Sequence, residues 1–260
     1  MTDAHEDEYD DGYVAMLELI WGEGFLAPGG PANVHGTVSG LDLKDKIVLD
    51  IGSGVGGLDL ILAGEYGARV IGFEIEPALI ERARDYATRA GLSEQIEFRQ
   101  VEAGPLQLED ASIDVIFSSG AIIHIDDKAE LFKEFFRVLR PGGVLAAYDW
   151  LKGPDPYSDD MRYWFEMEGL TYAMDTLENY ERLLREAGFV DVRGSDKSAW
   201  YREHARKEYA RMMGELHEQM AAVLGEDRAE HFVENWRATT VVLDNGELRT
   251  CRLRANKPPA

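Results

Sequence analysis

Val48-Leu-Asp-Ile-Gly-Ser-Gly-Val-Gly56 decides how the rest of this chain is read. The run is apolar up to Asp50 and then breaks into glycines, the pattern of a buried parallel strand whose end turns sharply under a nucleotide-like ligand. Glycines at such a turn keep side chains out of the ligand's way. Gly52, Gly54 and Gly57 also satisfy G-x-G-x-x-G, so the loop alone fits a dinucleotide fingerprint as well.

The flanking residues separate these readings. Asp50 stands two positions before Gly52, where a carboxylate can meet the methionyl end of S-adenosylmethionine through its ammonium group or through water; nicotinamide-binding sequences usually carry an apolar residue there. A second strand, expected over 68–73, ends at Glu74, placed to accept both ribose hydroxyls. A third, expected over 96–101, ends at Glu102 for the adenine edge, and the turn Leu139-Arg-Pro-Gly-Gly143 precedes an apolar strand over 144–148. In this order and spacing the four elements resemble the class I methyltransferases. The resemblance implies an α/β, Rossmann-like doubly wound sheet with an N-terminal helical lid and an insertion capping the active site. It also implies S-adenosyl-L-methionine as cofactor, with Asp50, Gly52, Ser53, Gly54, Glu74, Ile75, Glu102, Ala103 and Ser119 around it.

Bulk properties narrow the field further. The 260 residues suffice for one α/β domain with additions. A formal charge of −22 argues against nucleic acid or an anionic membrane as partner, because either polyanion is repelled over most of the surface. The single cysteine, Cys251, excludes an intramolecular disulfide and a cysteine-rich metal site, and the six histidines show no ligand spacing, so no metal is expected. No apolar run approaches the roughly 18 residues of a spanning helix, and the acidic start is the opposite of a signal peptide. The expectation is a cytoplasmic monomer or homodimer acting on a small molecule.

Along the chain, residues 1–11 carry six acids and read as a tail by composition. Val14, Leu17, Ile20 and Trp21 then recur at helical spacing. Residues 1–30 are therefore a lid segment and 31–260 the catalytic domain, with strands and helices alternating from Lys46 to Trp150. An insertion at about 153–175 carries Tyr157, Tyr163, Trp164, Phe165 and Tyr172 above the strand ends. Beyond it the pattern predicts helices over 176–187 and about 207–224. A closing hairpin is expected over 239–244 and 248–253, turning at Asn245-Gly246.

Glu8-Tyr9, Glu18-Leu-Ile-Trp-Gly-Glu-Gly-Phe25, Leu49–Gly57 and Ser118-Ser-Gly-Ala-Ile-Ile-His124 resemble the phosphoethanolamine N-methyltransferases, over nearly the whole chain. The likeness implies that Tyr9, folded back on the lid, and His124, after the fourth strand, meet over the substrate. Glu74 and Glu102 stand where that family usually has aspartates, which keeps the charge. The substrate end departs from the family. Leu170 occupies an arginine position, Glu166 and Trp150 replace tyrosines, Glu8 replaces a glutamine, and only Tyr172 survives, with Arg237 near the position of a C-terminal cation. These changes remove positive charge and add carboxylates, the wrong direction for a phosphate dianion.

The chemistry expected is in-line methyl transfer, with His124 as base for an amine and Tyr9 closing the site. Trp21, Trp150, Tyr163, Trp164 and Tyr172 are candidates to surround a cationic head group or to pack the core. Glu8, Asp149 and Glu166 are candidates to bind an ammonium group, Asp149 foremost because it ends the fifth strand. The sequence thus points to N-methylation of a small amine-bearing or zwitterionic metabolite. Methylation of a thioether or thiol amino acid, phosphoethanolamine methylation, and a non-catalytic cofactor sensor or scaffold stand as alternatives.

Overall fold

The computed structural model describes residues 9–153, 156–170 and 172–260. Seven strands form one sheet: β1 (Ile47–Ile51), β2 (Arg69–Glu74), β3 (Ile96–Gln100), β4 (Ile113–Ser119), β5 (Leu139–Lys152), β6 (Val190–Asp196) and β7 (Leu248–Asn256). Their order is β3-β2-β1-β4-β5-β7-β6, with β7 antiparallel to both neighbours and β1 to β5 parallel. The connection reverses direction between β1 and β4, so the ligand crevice of a doubly wound sheet lies at their carboxyl ends, where the glycine loop follows Ile51.

Helices cover both faces: α1 (Asp11–Trp21), α2 (Gly30–Thr37), α3 (Gly57–Gly64), α4 (Pro77–Ala90), α5 (Lys128–Val138), α6 (Asp159–Glu168), α7 (Leu177–Glu186), α8 (Ser198–Met213), α9 (His217–Leu224) and α10 (Glu226–Asp244). Alternation along β1 divides the core. Leu49 and Ile51 pack with Phe132, Phe135 and Leu184 beneath α5 and α7, while Val48 packs with Leu62, Ile80 and Phe117 beneath α3 and α4. Asp50 falls on the same side as Val48, and so under α3.

The N-terminal helix forms as its apolar spacing predicts. Asp10 caps it, its Oδ1 accepting the Tyr13 N–H at 2.7 Å. Met16, Leu17 and Ile20 pack on Met212, Met220, Phe232 and Trp236, while Val14 packs on Val55 of the glycine loop and Leu79 of α4. One helix thereby joins the C-terminal helices to the crevice. Burying four such side chains contributes roughly 1.5–3 kcal/mol each before entropy is counted.

Three expectations change in the second half of the chain. Residues 239–244 form the last turns of α10 and not a strand, although Thr-Thr-Val-Val is β-branched. Ala238, Thr239, Val242 and Leu243 are buried on one helical face, and that packing overrides propensity. β7 therefore has no hairpin partner after Asn245-Gly246; it inserts between β5 and β6. The helix expected over 207–224 is two helices broken at Gly214, and the first starts at Ser198. Tyr201, Ala205, Glu208 and Met212 carry the helical repeat that extends it upstream. Finally, β5 runs on through Leu139-Arg-Pro-Gly-Gly143, with a register shift against β4 in place of a separate turn.

Candidate active site

The glycine loop leaves β1 with Gly52, Gly54 and Gly56 at φ +74°, +54° and +82°, a path that side-chain-bearing residues rarely follow. A Cβ on Gly52 would stand 2.3 Å from Cβ of Ala121, and one on Gly57 would stand 2.1 Å from the Gly24 carbonyl oxygen. The loop is thus pressed between the turn after β4 and the segment after α1. The N–H groups of Gly52 and Ser53 both donate to the Phe73 carbonyl, fastening the loop to β2.

Glu74, at the end of β2, closes this turn. Its Oε2 accepts the Gly54 N–H at 2.8 Å and its Oε1 accepts the Ile75 N–H at 2.7 Å and the Glu76 N–H at 3.1 Å. Ile75 beside it is 52% exposed, an apolar side chain at a strand end where a flat heterocycle needs one. Glu102 and Ala103 follow β3 and are exposed. Ser53 is buried, and Ser119 is buried with its Oγ 3.5 Å from Nδ2 of Asn33. These residues fit an adenosyl cofactor: a side-chain-free loop, a carboxylate at the second strand end and an apolar surface next to it.

Asp50 takes a position that the sequence reading did not anticipate. It is fully enclosed, neither of its oxygens has a donor from protein, and it faces Asp59 of α3, which is enclosed and unpartnered in the same way. The two carboxyl groups lie within hydrogen-bonding reach of each other, and a bond between them needs a proton held on one of the pair. Burial, and for Asp59 the charge of its partner, pushes both well above the usual carboxylate range. Asp50 is thus enclosed beside Asp59 under α3, its oxygens without a protein donor.

After β4, Ile122–His124 form a single 3-10 turn that leaves His124 exposed at the strand end. Its ring lies 5.2 Å from the Tyr172 ring, and Tyr172 stacks on Trp164 at 5.5 Å and 10°. Burial, and after it the neighbouring Glu168 carboxylate, push the Tyr172 hydroxyl well above the ordinary tyrosine range. His124 thus stands against Tyr172, while the Tyr9 ring lies 5.6 Å from that of Tyr13. Glu8 lies outside the described residues.

The other residues expected at the substrate end divide clearly. Trp150 lies edge-on to Tyr201 at 4.9 Å, and its Nε1 is 3.8 Å from where a Cβ of Gly120 would stand, at the end of β4. Trp21 donates its indole N–H to Oε1 of Glu208 at 2.8 Å. Trp164 is core, donating to Oγ1 of Thr239 at 2.9 Å, whereas Tyr163 is on the surface with its hydroxyl on Glu234. Asp149 does not face the pocket. Alternation along β5 turns it to the opposite side of the sheet from Trp150, where it is fully buried and accepts the Tyr180 hydroxyl at 2.6 Å and the Ile123 N–H at 3.3 Å. Glu166 is exposed, and Arg237 is held on the surface by Glu234 at 2.6 Å.

Two carboxylates in this region escaped the sequence reading. Glu168, at the end of α6, accepts the Asn235 side-chain N–H at 2.9 Å and lies beside Tyr172. Burial raises its pKa, and among the described residues it has no cationic partner. Glu208 accepts the N–H groups of Trp21 and Trp236 and the Tyr201 hydroxyl. Glu208 occupies an inward position of the helical repeat of α8, a signal present in the sequence. Glu168 is recognisable only once α6 is seen to pack on α10.

Comparison with known proteins agrees with this geometry. Residues 49–147 match the family model of a methyltransferase domain. The chain is 30% identical to phosphoethanolamine N-methyltransferase 3 of Arabidopsis thaliana over 92% of its own length and 48% of that protein, so it spans about half the length of such curated relatives. It is 31% identical to the 27-O-demethylrifamycin SV methyltransferase of Amycolatopsis mediterranei, covering 82% of this chain and 85% of that one. Among solved structures, phosphoethanolamine N-methyltransferase 2 of Haemonchus contortus superposes with a TM-score of 0.90 at 23% identity, over 97% of this chain and 59% of the other.

Proposed function

From the premise that this chain belongs to the methyltransferase-domain family, we propose that it transfers the methyl group of S-adenosyl-L-methionine to the nitrogen of a small amine. When bound, the cofactor supplies an electrophilic methyl group at a sulfonium centre. The chain's part is to align an acceptor lone pair behind that methyl and to exclude water, which is where most of the rate of such a displacement originates. Glu74 and the glycine loop would hold the adenosyl half, with exposed Ile75 offering an apolar surface beside it. His124, exposed at the end of β4, takes the proton that an ammonium must lose before it can attack. Tyr172 lies against the imidazole, and Tyr9 is assigned to close the site over it.

The observation that carries the choice of an amine is Glu168. A carboxylate beside Tyr172, whose ring stacks on Trp164, with no cationic partner among the described residues, suits a positively charged head group. A second reading, N-methylation of phosphoethanolamine, is supported by the names of the curated relatives. Against it weigh Leu170, Glu166 and the engagement of Arg237 with Glu234. Phosphoethanolamine, ethanolamine, their methylated forms, N-methylglycines and a thioether amino acid should be compared by kcat/KM, with products identified by mass. The reading without phosphate expects ethanolamine-type or zwitterionic amines to exceed phosphoethanolamine. The reverse ranking establishes the second reading, and turnover of the thioether alone refutes both.

We place the lid at residues 1–30 and the catalytic domain at 31–260, on the support of α1 packing against both the glycine loop and the C-terminal helices. The charge of −22 weighs against nucleic acid or an anionic membrane as partner, and a small molecule is the acceptor we propose. No helix among the described residues is long and apolar enough to cross a membrane, and the cytoplasm is the compartment we propose.

A further inference from the structure

Lys128, the first residue of α5, is buried, and nothing in the reaction as described uses it. Its Nζ donates to the Ile125 carbonyl at 2.8 Å and to the Ala173 carbonyl. Ile125 directly follows His124, and Ala173 directly follows Tyr172. The Ala173 N–H returns a bond to the Ile123 carbonyl at 2.8 Å, and Asp149 accepts the Ile123 N–H from beneath. One ammonium group thus joins the turn carrying His124 to the segment carrying Tyr172, whose rings stand 5.2 Å apart.

We propose that Lys128 is a positioning residue for methyl transfer: it sets the His124 imidazole against Tyr172 and does not itself touch the acceptor. The inference rests on the reading of His124 as the base. A lysine costs more to bury than a neutral residue. Burial lowers its pKa, while Asp149, Asp175 and Asp126 favour its charged form; Tyr180 faces it as the remaining titratable group, with its ring 5.7 Å away. A neutral side chain of similar length cannot make both carbonyl bonds with the same strength, since hydrogen bonds from an ionised donor are the stronger class. Removing it releases the two carbonyls and lets the turn and the segment after α6 move independently. Small displacements of this kind lower turnover without disturbing a cofactor held at other strand ends.

The test uses the full chain with Lys128→Gln and Lys128→Met, measuring S-adenosylhomocysteine affinity by calorimetry alongside kcat, KM and the pH profile. The expected result is a cofactor Kd within about twofold of wild type, with kcat reduced at least tenfold in Lys128→Met and less in Lys128→Gln, which keeps a donor. The acid limb of kcat should also move to higher pH, because a positive charge near His124 is gone. If Lys128→Met does not fold, Lys128→Gln alone decides by the same split. Wild-type kcat and pH profile in a folded variant overturn the proposal, as does a loss of cofactor affinity equal to the loss of turnover. Failure of the functional reading is distinguishable: the wild type would then methylate no amine at all.

Discussion

The Glu74 carboxylate reaches back across twenty residues to accept the Gly54 N–H at 2.8 Å, so the end of the second strand fixes the shape of the loop after the first. On the proposed reading, a carboxylate that has already ordered the loop would meet the ribose in a preset orientation, with little entropy left to lose on binding. Charge, reach and loop conformation are linked through this one side chain.

Replacing Glu74 with Ala should therefore do two things. On the proposed reading it removes charge-assisted bonds to the ribose, each worth roughly 1.5–3 kcal/mol, and it frees the N–H groups of Gly54, Ile75 and Glu76. Calorimetry should show S-adenosylmethionine binding at least tenfold weaker in a folded protein. Unchanged affinity would show that the ribose is held elsewhere.

The roof rests on the loop by a backbone contact that tolerates no side chain. Gly57→Ala would bring a methyl group to 2.1 Å from the Gly24 carbonyl oxygen and disturb the Gly57 N–H bond to that carbonyl, now 3.0 Å. Overpacking of this kind costs about 1–3 kcal/mol. Because the segment after α1 ties the proposed lid to the glycine loop, turnover should fall more steeply than cofactor affinity, with strand content unchanged by circular dichroism. Equal losses of both would show that the segment after α1 is only a structural prop.

Asp149 makes a prediction about pH. Burial raises its pKa to about 7 against an ordinary 3.8, so the folded state keeps a proton that the unfolded state releases. Its stabilising contribution is complete below about pH 4, is lost as pH rises through 7, and amounts to at most about 4 kcal/mol. Asp149→Asn keeps acceptor and shape but does not titrate. Urea unfolding should show a shallower fall in stability between pH 4 and 7 for the variant than for wild type; parallel curves would mean that Asp149 titrates normally.

Much of this arrangement is legible in the residues, and the limits of legibility are physical. Strand ends announce themselves because apolar runs stop at Asp50, Glu74 and Ser119 with glycines or charges behind them. His124 and Tyr9 are found by resemblance and not by spacing, since nothing local sets them apart. Asp149 shows why a strand-end position is an incomplete guide: a one-residue difference in register places a side chain on the other face, and Asp149 lies opposite Trp150. Thr239–Asp244 has strand-like composition and helical structure because its burial is set by α6 and α8, which lie far away in sequence. The Asp50 and Asp59 pairing is likewise hidden, as two acids nine residues apart carry no sign that a helix lies directly over a strand.

The central claim is that the methyl group of S-adenosylmethionine is delivered to an amine nitrogen with His124 as the base, and one measurement reaches it directly. Wild type and His124→Gln should be incubated with S-adenosylmethionine labelled in its methyl group and an ethanolamine-type acceptor, and the labelled product located by NMR. The account predicts label on nitrogen for the wild type. For the variant it predicts a rate at least a hundredfold lower at neutral pH, the loss expected for removal of a general base, with partial recovery as the amine deprotonates at higher pH. Label on sulfur or oxygen, or an undiminished rate in His124→Gln across the pH range, would contradict it.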